Sequence, residues 1–207
     1  MLYLITDGSS VRGGKDLVDK VIEALKGGVK LVQLREKDLG GRQLLELALR
    51  MRSVTRGYGA RLLINDRVDV ALLSDADGVH LGQSGISPYE ARKVLGEARL
   101  IGVSAHSLKE AVRAEEDGAD FVTFGPVYRT PSKAGYGPPV GLPALKDACS
   151  SVNIPLFAIG GVKAENVKEA LAAGAFGAAV ISYILASADA ARSARDIIEE
   201  MQTRGAR

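Results

Sequence analysis

The sequence predicts an α/β chain folded as a single (β/α)8 TIM barrel, and three observations carry that expectation. A helix-like segment, a glycine or small-residue stop and a short apolar run recur in that order eight times. The apolar runs are short and nearly uninterrupted, as parallel strands buried on both faces require. No linker or low-complexity tract breaks the series, so residues 1–207 are expected to form one domain. An open doubly wound sheet is the competing arrangement, but no GxGxxG fingerprint follows the first strand.

The expected strands are Leu2 to Thr6, Leu31 to Leu34, Arg61 to Ile64, Gly78 to Leu81, Leu100 to Val103, Phe121 to Phe124, Leu156 to Ile159 and Ala178 to Ile181. Between them the apolar residues recur at three and four, as in Leu17, Val18, Val21, Ile22 and Leu25, and again in Leu44, Leu45, Leu47, Ala48, Leu49 and Met51. KGGVKLVQL, DADGVHL, DGADFVTF and AGAFGAAVI each set a glycine near a helix end before a strand begins, where a left-handed C-cap residue is needed.

Composition narrows the function classes. The 27 Lys and Arg nearly balance 25 Asp and Glu, and a net charge of +2 gives no blanket attraction to nucleic acid or an anionic membrane. Any basic site is local. Cys149 is the only cysteine, which excludes an internal disulfide framework and a cysteine-rich zinc cluster and fits a reducing compartment. MLYLITD meets an Asp too early for a signal peptide, and no apolar run approaches the ~20 residues of a spanning helix. A cytoplasmic protein is expected, with no nucleic-acid or membrane partner; a homo-oligomer is compatible with the sequence but not specified by it.

In a barrel of this kind, residues just past the C-terminal end of each strand face the site. That rule selects Thr6 and Asp7; Gln33, Arg35, Glu36 and Lys37; Asn65, Asp66 and Arg67; His80 and Gln83; Ser104 and His106; the stretch after Phe124; Gly160 and Gly161; and Ile181 and Ser182. Gly160 and Gly161 after the seventh strand, with Ile181 and Ser182 after the eighth, occupy the usual phosphate position of barrels, where glycine lets backbone N–H groups approach an anion. The same glycines also suit a tight turn. The stretch Gly125 to Gly141 holds four of the seven prolines, and its Thr130, Ser132 and Lys133 offer two hydroxyls and a cation to a phosphorylated small molecule under a closing lid.

Arg35 and Lys37, two apart, suit one polyanion if the chain is extended there; alone they read as a surface pair with Glu36. Asp66 beside Asn65 is a carboxylate placed to ligate Mg²⁺ shared with substrate phosphates, or else Asn-Asp is the N-cap of a helix from Arg67 to Ser74. His80 and His106 lack metal-ligand spacing on one helix, and each reads as a hydrogen-bonded structural histidine.

With these residues in view, the chain resembles the thiamine phosphate synthase family, which includes the TenI-type thiazole tautomerases. The matching segments are LYLITD (Leu2 to Asp7), VQLREK (Val32 to Lys37), INDRVDVAL (Ile64 to Leu72), ADGVHLGQ (Ala76 to Gln83), GVSAHS (Gly102 to Ser107), FGPVYRTPSK (Phe124 to Lys133), AIGGV (Ala158 to Val162) and VIS (Val180 to Ser182). The resemblance implies that Gln33, Arg35, Lys37, Asn65, Ser104 and Lys133 bind an aminopyrimidine diphosphate, with Asp66 on Mg²⁺. It implies that Thr130 and Ser132 meet a thiazole phosphate seated over Gly161, Ile181 and Ser182, and that Arg35, Ser104 and Lys133 carry catalysis. The implied reaction is displacement of pyrophosphate from the pyrimidine methylene by the thiazole nitrogen, through a pyrimidine carbocation.

Two departures matter. Gly85 stands where family synthases usually have a second Mg²⁺-binding Asp, and the nearby Ser84 and Ser87 are poorer ligands than a carboxylate. That loss favours the tautomerase type. Pro126, however, stands where the tautomerase compared has a His, and the intact QLREK, NDR and TPSK segments favour the synthase. A non-catalytic binder of thiamine precursors is the third alternative.

Overall fold

The structure, a computed structural model, describes residues 1–11, 16–130 and 138–203. Eight parallel strands, β1 (Leu2–Ile5), β2 (Leu31–Leu34), β3 (Arg61–Asn65), β4 (Gly78–Leu81), β5 (Leu100–Ala105), β6 (Phe121–Phe124), β7 (Leu156–Ile159) and β8 (Gly177–Val180), pair in sequence order and close β8 onto β1. The sequence therefore predicts the fold class correctly. Around them lie α1 (Leu17–Lys26), α2 (Gly41–Gly57), α3 (Val68–Leu73), α4 (Pro88–Leu95), α5 (Leu108–Glu116), α6 (Gly141–Ser151), α7 (Val167–Ala172), α8 (Ser182–Leu185) and α9 (Ala190–Gln202). No helix among the described residues is long and apolar enough to cross a membrane.

Helix starts follow local chemistry. Ser87 caps α4 and exchanges hydrogen bonds with Glu90 in a capping box, with Pro88 pre-set for the first turn. Ser107 and Asp189 cap α5 and α9 through their side-chain oxygens. The Asn-Asp cap does not form: α3 begins after Arg67, which makes no capping bond, and the Asp66 carboxylate turns to Gly82 instead.

Alternation along the strands sorts the core into two parts. Leu2, Leu4, Val32, Leu34, Leu62 and Ile64 pack outward against the helices, where they form the large cluster. The barrel interior is filled by Tyr3, Ile5, Leu31, Leu63, Phe121, Phe157 and Ala179. Tyr3, Phe121 and Phe157 meet edge to face with centroids 5.5–5.8 Å apart, and His80 tilts against Tyr3 and Phe121. Gly102 makes room for them, since a Cβ there would lie 2.2 Å from the Phe121 ring and 2.6 Å from His80 Nδ1.

The N-terminal end of the barrel is fastened by two aspartates that end helix-to-strand turns. Asp77 Oδ2 accepts from Leu62 N and Arg52 Nη1, and Asp120 Oδ2 accepts from Ile101 N and Arg92 Nη2, all at 2.7 Å. These pairs satisfy backbone donors where strands begin. The opposite end carries the polar residues.

Candidate active site

Strand register sets the floor of the C-terminal mouth. Ile5 pairs Gln33, Asn65 pairs His80 and Ser104 pairs Thr123, so polar side chains replace the aromatic filling at the ends of β2 to β6. Gln33, His80 and Thr123 are buried and Ser104 is half-buried. Gln33 Nε2 donates to Tyr3 Oη at 2.8 Å, Tyr3 Oη lies 3.2 Å from His80 Nδ1, and His80 Nε2 lies 3.0 Å from Ser104 Oγ and 3.4 Å from Thr123 Oγ1. Burial first, then the Arg35 cation, push the His80 pKa down to about 3. Burial holds the Tyr3 hydroxyl well above its ordinary range, so both rings are neutral.

An acid-stability prediction follows. Above pH 6.5, the ordinary histidine value, folded and unfolded chains both carry His80 neutral; below it the unfolded chain takes up a proton that the folded chain refuses down to about 3. Stability is then lost as pH falls, by up to about 1.4 kcal/mol per unit. Carboxylates such as Asp7 and Asp69, with depressed pKa values, add to this only nearer their ordinary value of 3.8. Urea unfolding between pH 7 and about 5 reads the histidine contribution together with that of the Met1 amino group, whose pKa burial also lowers, and His80→Gln is expected to remove the histidine share. An equally steep fall in that variant would assign the effect elsewhere.

Asp66 sits at the centre of a three-residue turn, with Arg67 N donating to Asn65 O at 2.7 Å and its own φ at +56°. That left-handed conformation is strained for any residue but glycine and is best tolerated by Asp and Asn. Its oxygens accept from Gly82 N at 2.7 Å and Asn65 Nδ2 at 2.8 Å, which holds the exposed carboxylate over the end of β3. A Cβ on Gly85 would lie 3.1 Å from Asp66 Oδ1, so position 85 does face this carboxylate. Gly85 is not among the positive-φ residues.

The loop after β2 is built differently from its sequence reading. Glu36 does not pair with Arg35 or Lys37: its Oε1 accepts from Thr6 Oγ1 at 2.6 Å and its Oε2 from Gly8 N at 2.9 Å. Thr6 Oγ1 in turn accepts from Arg35 N at 2.9 Å. The β1 and β2 loops are thereby tied together. Arg35 and exposed Lys37 form no ion pair among the described residues, although Arg35 lies close enough to act on Asp7 and His80. Burial opposes ionisation of Asp7, but hydrogen bonds from Ser9 and Ser10 and the Arg35 cation outweigh it and lower its pKa.

On the far side of the mouth, Gly160 and Gly161 have φ of +91° and +68°. Val127 N and Tyr128 N donate to Ile159 O and Gly160 O, so the segment after Pro126 continues along β7. A Cβ on Gly160 would lie 2.5 Å from Pro126 Cβ, and one on Gly161 2.6 Å from Arg129 O. Packing of this segment therefore accounts for both glycines. Asn166 braces the turn: its Nδ2 donates to Gly161 O at 3.0 Å and its Oδ1 accepts from Lys163 N at 2.8 Å. Gly161 N donates to no backbone carbonyl among the described residues. Ile181 precedes α8 and packs on the barrel interior, and Ser182 opens the helix, exposed. Half-buried Thr130 is the last described residue before Pro138, and Ser132 and Lys133 lie outside the described residues.

The remaining histidine is a brace, as the sequence reading expected: His106 Nδ1 lies 2.5 Å from Gly125 O. Gln83 reaches across to the Ser104 carbonyl. Two residues escaped the sequence reading, Tyr3 hidden inside an apolar run and Asn166 before a helix; only Asn166 carried a local signal, the turn propensity of Asn.

Fold and site together define a barrel enzyme with a polar mouth, two cations that form no ion pair among the described residues and an anchored carboxylate on one side, and a glycine turn on the other. The model of the family described as thiamine monophosphate synthase matches residues 2–184. The chain belongs to that family. A curated protein of Geobacter sulfurreducens is 57% identical over 197 residues, 95% of this chain and 92% of that one. The thiamine-phosphate synthase of Clostridium novyi is 47% identical over 188 residues, 91% of this chain and 92% of that one. The solved thiamine phosphate pyrophosphorylase of Pyrococcus furiosus superposes with a TM-score of 0.88 at 36% identity, covering 98% of this chain and 95% of that one.

Proposed function

We propose that this chain joins 4-amino-2-methyl-5-hydroxymethylpyrimidine diphosphate to thiazole phosphate and releases pyrophosphate, working in the cytoplasm as a barrel of residues 1–207. The observation that carries the reading is the mouth on β2 to β5: Gln33 and Ser104 linked through Tyr3 and His80, beside Asp66 and the cations Arg35 and Lys37. Such a set suits an aminopyrimidine with a polyanionic leaving group.

The methylene–oxygen bond to the diphosphate breaks with its electron pair leaving on pyrophosphate, and the thiazole nitrogen supplies the pair for the new carbon–nitrogen bond. Little acid–base work is needed. Arg35 and Lys37 meet the charge that grows on pyrophosphate, and Ser104 adds a hydroxyl. Gln33 and Asn65 orient the pyrimidine, while Thr130 and Ser132 hold the thiazole phosphate against Gly161, Ile181 and Ser182. Lys133 is assigned to the leaving group.

Mg²⁺ fits this site sparingly. Asp66 is a hard oxygen ligand whose two oxygens each hold one protein donor and keep further lone pairs, and no group of three His, Cys, Asp or Glu is placed to hold a metal among the described residues. Asp66 would hold the ion together with diphosphate oxygens and water, and the ion would neutralise charge on the leaving group.

The test is an assay of both substrates with Mg²⁺: a joined product with release of pyrophosphate supports the reading, and isomerisation of the thiazole without joining replaces it with the tautomerase. Gly85→Asp is expected to lower the Mg²⁺ concentration for half-maximal rate about tenfold, by adding a second carboxylate next to Asp66. An unchanged Mg²⁺ titration in a folded variant would mean that Asp66 does not face the metal.

A further inference from the structure

We propose that Tyr3 and His80 are positioning residues which fix the direction of the Ser104 hydroxyl, so that Ser104 offers its proton, rather than a lone pair, to the anion in the mouth. The inference deepens the reading of Ser104 as a diphosphate-binding group and rests on it. Gln33 Nε2 donates to the Tyr3 oxygen at 2.8 Å, which commits that oxygen as an acceptor. Its own proton then goes to His80 Nδ1, 3.2 Å away. A ring that accepts at Nδ1 carries its proton on Nε2.

Nε2–H lies 3.0 Å from Ser104 Oγ and 3.4 Å from Thr123 Oγ1, two hydroxyl oxygens able to accept it. With Ser104 accepting from below, its proton is left for whatever lies above in the mouth. The opposite order would be harmful. An unprotonated Nε2 would draw the serine proton downward and leave an oxygen lone pair facing the anion. Ser104 lies 101 residues from Tyr3 in sequence, and a ring that packs against Tyr3 and Phe121 links the two.

Nitrogen NMR of the histidine rings reads the tautomer directly. There are two histidines, and a His106→Asn variant assigns them. His80 is expected with its proton on Nε2; a proton on Nδ1 overturns the inference whatever the activity. Tyr3→Phe removes the phenol, frees Nδ1 to take the proton, and is expected to shift His80 to the other tautomer and lower kcat about tenfold to a hundredfold. In a Ser104→Ala background the same change is expected to cost nothing further. An undiminished loss there would show that Tyr3 acts through packing, against the proposal. If the parent chain joins no substrates, the functional reading fails, while the ring spectrum still decides the tautomer.

Discussion

Replacing Asp66 by asparagine is expected to lower synthase turnover about a hundredfold or more with little loss of stability, because it removes charge and leaves shape. Asn tolerates the left-handed φ of +56° almost as well as Asp, and its amide oxygen can still accept from Gly82 N. What it cannot do is give Mg²⁺ an anionic oxygen. Steady-state kinetics over a range of Mg²⁺, beside a thermal melt, separates the effects. A rate restored at high Mg²⁺ means weakened metal affinity, whereas a folded variant with the parent's rate at all Mg²⁺ concentrations removes Asp66 from the metal. Asp66→Ala is the less clean variant, since it also abandons the Gly82 bond and puts a non-polar residue in a strained turn.

The fold was legible because its signal is local. Each strand is an apolar run bounded by a stop, and the boundaries drift by one or two residues: Thr6 leaves β1 although its N–H still bonds Gln33 O, Asn65 joins β3, Ser104 and Ala105 extend β5, and β8 gains Gly177 and loses Ile181. That polar residues gather where the strands end was legible for the same reason. The partnerships among them were not. Glu36 reads as the counter-ion of its neighbours, yet its hydrogen-bond donors come from Thr6 and Gly8, just past the end of β1. His80 reads as structural, and its contacts are indeed internal, but the direction they impose on Ser104 depends on Tyr3, 77 residues before His80. Only closure of the barrel puts these groups within reach.

Gly161→Val is expected to cut turnover about a hundredfold and to raise the KM for thiazole phosphate, and the reason differs from the one that sequence supplies. From sequence, a branched side chain blocks an anion from backbone N–H groups. In the structure it also collides with the base of the long stretch: a Cβ would stand 2.6 Å from Arg129 O and 2.8 Å from Tyr128 Cβ. A β-branched residue is strained at φ +68° besides, at a cost of about 1–3 kcal/mol. The segment from Val127 to Thr130 must then move off β7, breaking the Tyr128 N to Gly160 O bond and shifting Thr130, the residue proposed to hold the thiazole phosphate. Loss of stability and loss of substrate binding are expected together, so kinetics alone would not separate them. Calorimetry on the parent protein does: thiazole phosphate is expected to bind far more tightly than the dephosphorylated thiazole. Equal affinities would remove the phosphate site from this turn, and the two glycines would then serve only the packing of Pro126, Tyr128 and Arg129.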